Sequence, residues 1–225
     1  MNIIEIQDVE KIYQDNGVPV HALRGITMNV ERGEFLVIAG PSGSGKTTLL
    51  NVIGALDTPT RGKVYLEGED LSTKSRNEIA SIRLHKLGFV FQAYNLIPVL
   101  SALENIEFTM MLRGIPEKER HERAMALMEE LDIAELANKR PHEMSGGQQQ
   151  RVAVARAMVN DPSIILADEP TANLDTKTGA NLLDLMQRMN EEKNLTFVFS
   201  SHDPQVIERA KRLLLLKDGL IEIPE

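Results

Sequence analysis

The sequence predicts an α/β fold with a mainly parallel sheet, and three observations carry that prediction. Apolar runs of strand length, Phe35 to Ala39, Ile164 to Ala167 and Thr196 to Ser200, alternate with longer segments of helical character. The first of these runs leads straight into a glycine-rich loop and then into the helix-like TTLLNVIGAL. The chain has 225 residues, 42% of them hydrophobic, which is enough to bury the core of one domain, or of one domain carrying an insertion.

Taken in order, the first 35 residues read as short alternating strands separated by turn signals at Asp15-Asn16-Gly17 and Glu31-Arg32-Gly33. Lys63 to Gly68 (KVYLEG) has the same character, so a small antiparallel sheet is expected beside the parallel one. Gly88 to Phe91 reads as a further strand. Between about Ser101 and Asn160 the reading is almost wholly helical: Ser101 and Glu104 have capping-box spacing, and Ala124, Leu127, Met128 and Leu131 form an i, i+3, i+4, i+7 stripe. The charged run Glu117 to Arg123 (EKERHER) is a solvated helix face. The predicted division is a core of residues 1–92 and 161–225, including the antiparallel subdomain, interrupted by a helical subdomain over 93–160.

Composition excludes several classes of function. Without cysteine there is no disulfide framework, thiol catalysis or thiolate-ligated zinc, and a reducing compartment is expected. The acidic, discontinuous start MNIIEIQDVEKIY is not a signal peptide. Runs such as Leu213 to Leu216 fall far short of the ~20 residues that cross a bilayer, so no direct membrane insertion is expected. A net charge of -8 argues against broad nucleic-acid binding.

GPSGSGKT, Gly40-Pro41-Ser42-Gly43-Ser44-Gly45-Lys46-Thr47, matches G-x-x-x-x-G-K-[ST] between a strand and a helix, the context a phosphate-binding loop requires. Its backbone N–H groups converge on one concavity, Lys46 reaches the β and γ phosphates, Thr47 can hold Mg²⁺, and the helix N-terminus, continuing through Thr48, adds positive potential. The class is therefore a P-loop NTPase. IILADE, Ile164 to Glu169, then places two carboxylates at the end of a buried strand. Asp168 can serve the metal and Glu169 the attacking water.

Met144-Ser145-Gly146-Gly147-Gln148 resembles LSGGQ, the signature of the ABC ATPases, with methionine for leucine in a packing position. With GPSGSGKT, ADEP, Phe91-Gln92 and Ser201-His202-Asp203, the resemblance covers essentially the whole chain. It implies ATP and Mg²⁺ as ligands, and a homodimer in the ATP-bound state in which Ser145, Gly146, Gly147 and Gln148 of one subunit face the γ-phosphate held by the other. It further implies that Gln92 contacts Mg²⁺ and the water, that His202 lies near the γ-phosphate, and that Tyr13 stacks on adenine. Asp175 resembles the acid that crosses the dimer interface, and it also suits a helix cap before Thr176.

The stretch Gly88 to Ile106 and ADEPTANLD resemble the branch that includes lipoprotein-releasing, macrolide-exporting and cell-division ABC ATPases, with Ala172 where many members have glycine. The chain ends soon after Lys217-Asp218-Gly219, so the resemblance implies separate permease subunits and a peripheral place on the cytoplasmic face of the plasma membrane. The permease is expected to dock against Ala93 to Pro98 and the helix starting at Ser101. Phe108, Met110, Met111 and Leu112 either line that groove or pack inside the insertion. A regulatory scaffold without transport uses the same motifs and stays open; a soluble ABC ATPase of translation or DNA repair is disfavoured by the acidic charge and the single nucleotide unit.

Overall fold

The computed structural model describes residues 1–15 and 18–222. Two long strands, β1 (Asn2–Asp15) and β2 (Val18–Glu31), pair antiparallel. They are longer than the short strands expected, because register shifts between Ile6 and Glu10 let each strand bend and continue. Asn16 and Gly17 of the first turn signal lie outside the described residues. The second turn is present: Gly33 has φ 77° and Glu34 N–H donates to Glu31 O.

The turn delivers the chain into β3 (Phe35–Ala39), buried at every position. The glycine loop follows, then α1 (Lys46–Ile53), and β4 (Arg61–Leu66) and β5 (Glu69–Asp70) complete a four-stranded antiparallel sheet in the order β2-β1-β4-β5. Next come α2 (Arg76–Lys86), which the sequence reading passed over, and β6 (Leu87–Val90).

The segment expected to be almost wholly helical contains three separate helices, α3 (Ala102–Leu112), α4 (Glu117–Glu130) and α5 (Gly146–Met158). The breaks fall at Gly114 (φ 74°) before Pro116 and at Asp132 (φ 58°), where the backbone leaves helical space. Ser101 and Glu104 do form a capping box, and the stripe Ala124, Leu127, Met128 and Leu131 is buried.

The chain then returns to the core through β7 (Ile164–Asp168), α6 (Thr176–Lys193), β8 (Thr196–Ser201), α7 (Pro204–Glu208), β9 (Arg212–Lys217) and β10 (Leu220–Glu222). The large sheet has the order β10-β9-β3-β8-β7-β6 and is parallel except at β10. Alternate residues of β3 serve two cores. Phe35 and Val37 pack with Phe197, Phe199 and the helices α3 to α6, while Leu36 and Ile38 pack with α1 and the antiparallel sheet. Among the described residues no helix is long and apolar enough to cross a membrane.

Candidate functional site

Four neighbouring parallel strands, β3, β8, β7 and β6, end on the same edge of the sheet, where open α/β sheets bind ligands. β3 delivers the glycine loop, β8 delivers His202, β7 delivers Asp168 and Glu169, and β6 leads to Gln92.

The loop is held by its own backbone and by β9 and β10. Ser44 N–H donates to Pro41 O, and Gly219 N–H donates to Ser44 O at 3.0 Å. A Cβ on Gly40 would lie 2.0 Å from the Leu216 carbonyl oxygen, so the strand-to-loop corner has room only for glycine. Lys46 is 7% exposed, with Nζ donating to Gly40 O (2.8 Å) and Pro41 O (3.1 Å). The same Nζ lies 4.0 Å from Glu169 Oε1, so loop and strand-end carboxylate share one locus.

Thr47 Oγ1 donates to Asp168 Oδ1 at 3.1 Å, and the Ser200 hydroxyl donates to the same oxygen. Two hard oxygen donors thus stand together, the ligand type Mg²⁺ takes alongside phosphate oxygens. Among the described residues no group of three His, Asp or Glu forms a self-contained metal cage.

Glu169 has φ 47°, a left-handed conformation costing about 1–2 kcal/mol for a residue with a Cβ. It is held there by its N–H donating to Ser200 O at 2.9 Å. Its side chain is fixed at both oxygens: Oε1 lies 2.8 Å from His202 Nδ1, and Oε2 accepts from Ser201 Oγ at 3.2 Å. The Ser201 hydroxyl also accepts from Asp203 N–H. Gln92, Glu169, Asp175 and His202 line one cleft of about 530 Å³.

Ser145 to Gln148 border the Asp175 side of that cleft. Ser145 Oγ accepts from Gln148 N–H and Gln148 Oε1 accepts from Ser145 N–H, so SGGQ is a capping box that starts α5. Met144 is buried, consistent with a packing role. Gly146 faces Tyr94 Oη and the Asn173 carbonyl, and Gly147 faces Thr178. No hydrogen bond among the described residues joins this segment to Gly40–Thr48. Asp175 caps α6 through the N–H groups of Lys177 and Thr178 and accepts from Thr178 Oγ1 at 2.6 Å. Those bonds draw its carboxyl below the usual range. Tyr13 stands on β1 beside Thr48.

A family profile described as ABC transporter matches residues 23–172. The chain belongs to the ABC transporter ATPase family. An uncharacterized ABC transporter ATP-binding protein of Thermotoga maritima is 49% identical over 220 residues, 98% of this chain and 94% of that protein. The macrolide export ATP-binding/permease protein MacB of Syntrophobacter fumaroxidans is 43% identical over 99% of this chain, which spans only 31% of MacB. The dimeric structure of the ABC transporter cassette MJ0796 of Methanocaldococcus jannaschii is similar with TM-score 0.91 and 43% identity, covering 99% of this chain and 97% of that one. The same cassette has been solved, equally similar, in a post-hydrolysis state with ADP and Pi. This chain is an ABC-type ATPase, the ATP-binding subunit of an ABC transporter.

The particular contacts of three further residues at this ABC ATPase site are not legible in the sequence. Gln150, fully buried on α5, donates to the Pro170 and Phe91 carbonyls, next to Glu169 and Gln92 respectively. Arg156 donates to the carbonyls of Tyr94 and Asn95, and burial lowers its guanidinium pKa. Asn173 Nδ2 donates to Gln92 O. All three bind backbone carbonyls, which carry no residue-type signal, so spacing alone could not reveal them.

Proposed function

We propose that two copies of this ABC ATPase assemble head to tail around two ATP molecules, hydrolyse them and reopen, driving a separate membrane permease of the lipoprotein-releasing, macrolide-exporting or cell-division type. One observation carries this reading: Lys46, Asp168, Glu169 and His202 converge on one sheet edge, while Ser145 to Gln148 bond one another and pack against Tyr94, Asn173 and Thr178 rather than the glycine loop. The N-terminus of α5 offers partial positive charge to an anion, and a second copy is what brings one to it. That the similar MJ0796 cassette was solved as a dimer supports an assembly of two copies.

In each site the N–H groups of Gly40 to Thr48 and the Lys46 ammonium hold the phosphates. Thr47, Gln92 and Asp168 hold Mg²⁺, which when bound neutralises phosphate charge. Glu169 orients the attacking water and takes its proton, His202 fixes Glu169 Oε1 and faces the γ-phosphate, Tyr13 stacks on adenine, and Asp175 lies at the dimer seam. Residues 1–92 and 161–225 act as the nucleotide-binding core and 93–160 as the helical subdomain. Ile97, Phe108 and Leu112 join Leu84, Phe89 and Phe91 around a groove of about 630 Å³, a site for a permease helix. Of the four α3 residues weighed for that groove, Phe108 and Leu112 line it, Met110 is buried in the core, and Met111 is exposed outside the lining. The subunit works at the cytoplasmic membrane face through that permease.

Replacing Glu169 with Gln is expected to lower ATP turnover by on the order of 10²–10⁴-fold. Phosphate release and equilibrium ATP binding measured on the same preparation check this, with binding retained. Turnover at the unsubstituted rate sinks the role of Glu169.

A further inference from the structure

Tyr13 sits in a small polar network that the phosphate and metal chemistry does not use. Its hydroxyl donates to Asp57 Oδ2 at 2.7 Å, and the other carboxylate oxygen, Oδ1, takes the Lys11 ammonium at 2.6 Å. Lys11 Nζ also donates to the Thr58 carbonyl at 2.8 Å and lies 4.9 Å from the centre of the Tyr13 ring, over one face. The Lys11 side chain is only 11% exposed, so this ammonium is almost withdrawn from water and held by one carboxylate and one carbonyl.

The loop that carries Asp57 is itself stitched to β1. Thr60 N–H donates to Glu10 O and Ile12 N–H donates to Thr60 Oγ1. Burial pushes the Asp57 carboxyl up, but the bonds from Lys11 and Tyr13 outweigh it and hold the group below its ordinary value, as a carboxylate. Burial and the bond to Asp57 raise the Tyr13 hydroxyl, which stays a donor. Two side chains thus fix one partly exposed ring: Lys11 lies over one face and Asp57 anchors the hydroxyl.

We propose that Asp57 and Lys11 are positioning residues for the nucleotide base, holding the Tyr13 ring in its stacking orientation before ATP arrives. The proposal rests on the reading of Tyr13 as the adenine platform. Ordering one ring in advance spares about 0.5–1.5 kcal/mol on binding. Losing the anchor should therefore raise KM for ATP roughly two- to tenfold, that cost converted at 1.4 kcal/mol per tenfold. The kcat should move far less, because the anchor touches neither the γ-phosphate nor Glu169.

Tyr13→Phe is the decisive variant, since it keeps the ring and the strand stitching and removes only the hydroxyl. ATPase kinetics of Tyr13→Phe, Asp57→Ala, the double variant and Tyr13→Ala are to be compared, with folding checked by circular dichroism. Both single variants should raise KM within the stated range, and the double variant should be no worse than Asp57→Ala alone. If Tyr13→Ala raises KM while Tyr13→Phe leaves it unchanged, the anchor is overturned and the platform stands. Strictly multiplicative effects of Asp57→Ala and Tyr13→Phe would also overturn it, because the two residues would then act separately. If Tyr13→Ala leaves KM unchanged, the adenine platform itself fails and the anchor with it.

Discussion

A Cβ added to Gly147 would lie 2.3 Å from Thr178 Cγ2, so this glycine keeps the first turn of α5 against the start of α6. Gly147→Ala gains at most about 1 kcal/mol of helix propensity, whereas overpacking costs typically about 1–3 kcal/mol, so net destabilisation is expected. Thr178→Ser in the same chain removes the clashing methyl and keeps the hydroxyl that donates to Asp175. Denaturant unfolding should show the loss in the single variant and its recovery in the double one; an undiminished loss in the double variant contradicts the contact. At this scale the phosphate loop, Asp168 and Glu169 were legible because their chemistry sits in adjacent residues. The Lys11–Asp57 pair was not, since its partners are 46 positions apart and only the fold joins them.

At the scale of elements, capping boxes start three of the helices, at Ser75, Ser101 and Ser145. The one at Ser101 was read directly. SGGQ carries the related S-x-x-Q pattern, and α2 is faint in the sequence because Ile79 and Ile82, its inward residues, are only partly buried among many charges. α2 packs Ile79 and Ile82 against the second core, and charge pins its C-terminal end. Lys86 Nζ lies 3.2 Å from Glu67 and 2.9 Å from Glu69, while Lys74 and Arg32 reach the same two acids. Hydrogen bonds from Lys74 and then Lys86 hold Glu69 down to about 2, and Glu67 is lowered despite its burial. Depressed carboxylates stabilise the fold above their unfolded pKa, near 4.3 for glutamate, and that contribution is lost as pH falls toward about 2. Thermal unfolding by circular dichroism should therefore show Tm falling across that window, with a shallower fall in Lys86→Met. An identical slope in both proteins contradicts the assignment.

At the scale of the whole molecule, the parallel sheet and the antiparallel sheet beside it were legible from the alternation of buried strands and helices, and both cores follow from the two faces of β3. Strand length was not, since register shifts in β1 and β2 leave no mark in the alternation pattern. The separation of Ser145 to Gln148 from the glycine loop belongs to this scale too. It makes the complete site a property of two copies in the proposed function, so Ser145→Arg should abolish ATPase activity while ATP binding to the monomer survives, as read by equilibrium binding and phosphate release. The most direct measurement is the mass of Glu169→Gln by size-exclusion light scattering with and without ATP. A dimer that forms only with ATP, and is lost when Ser145→Arg is added, is the predicted result; a monomer at saturating ATP, or a dimer indifferent to Ser145→Arg, contradicts the shared site.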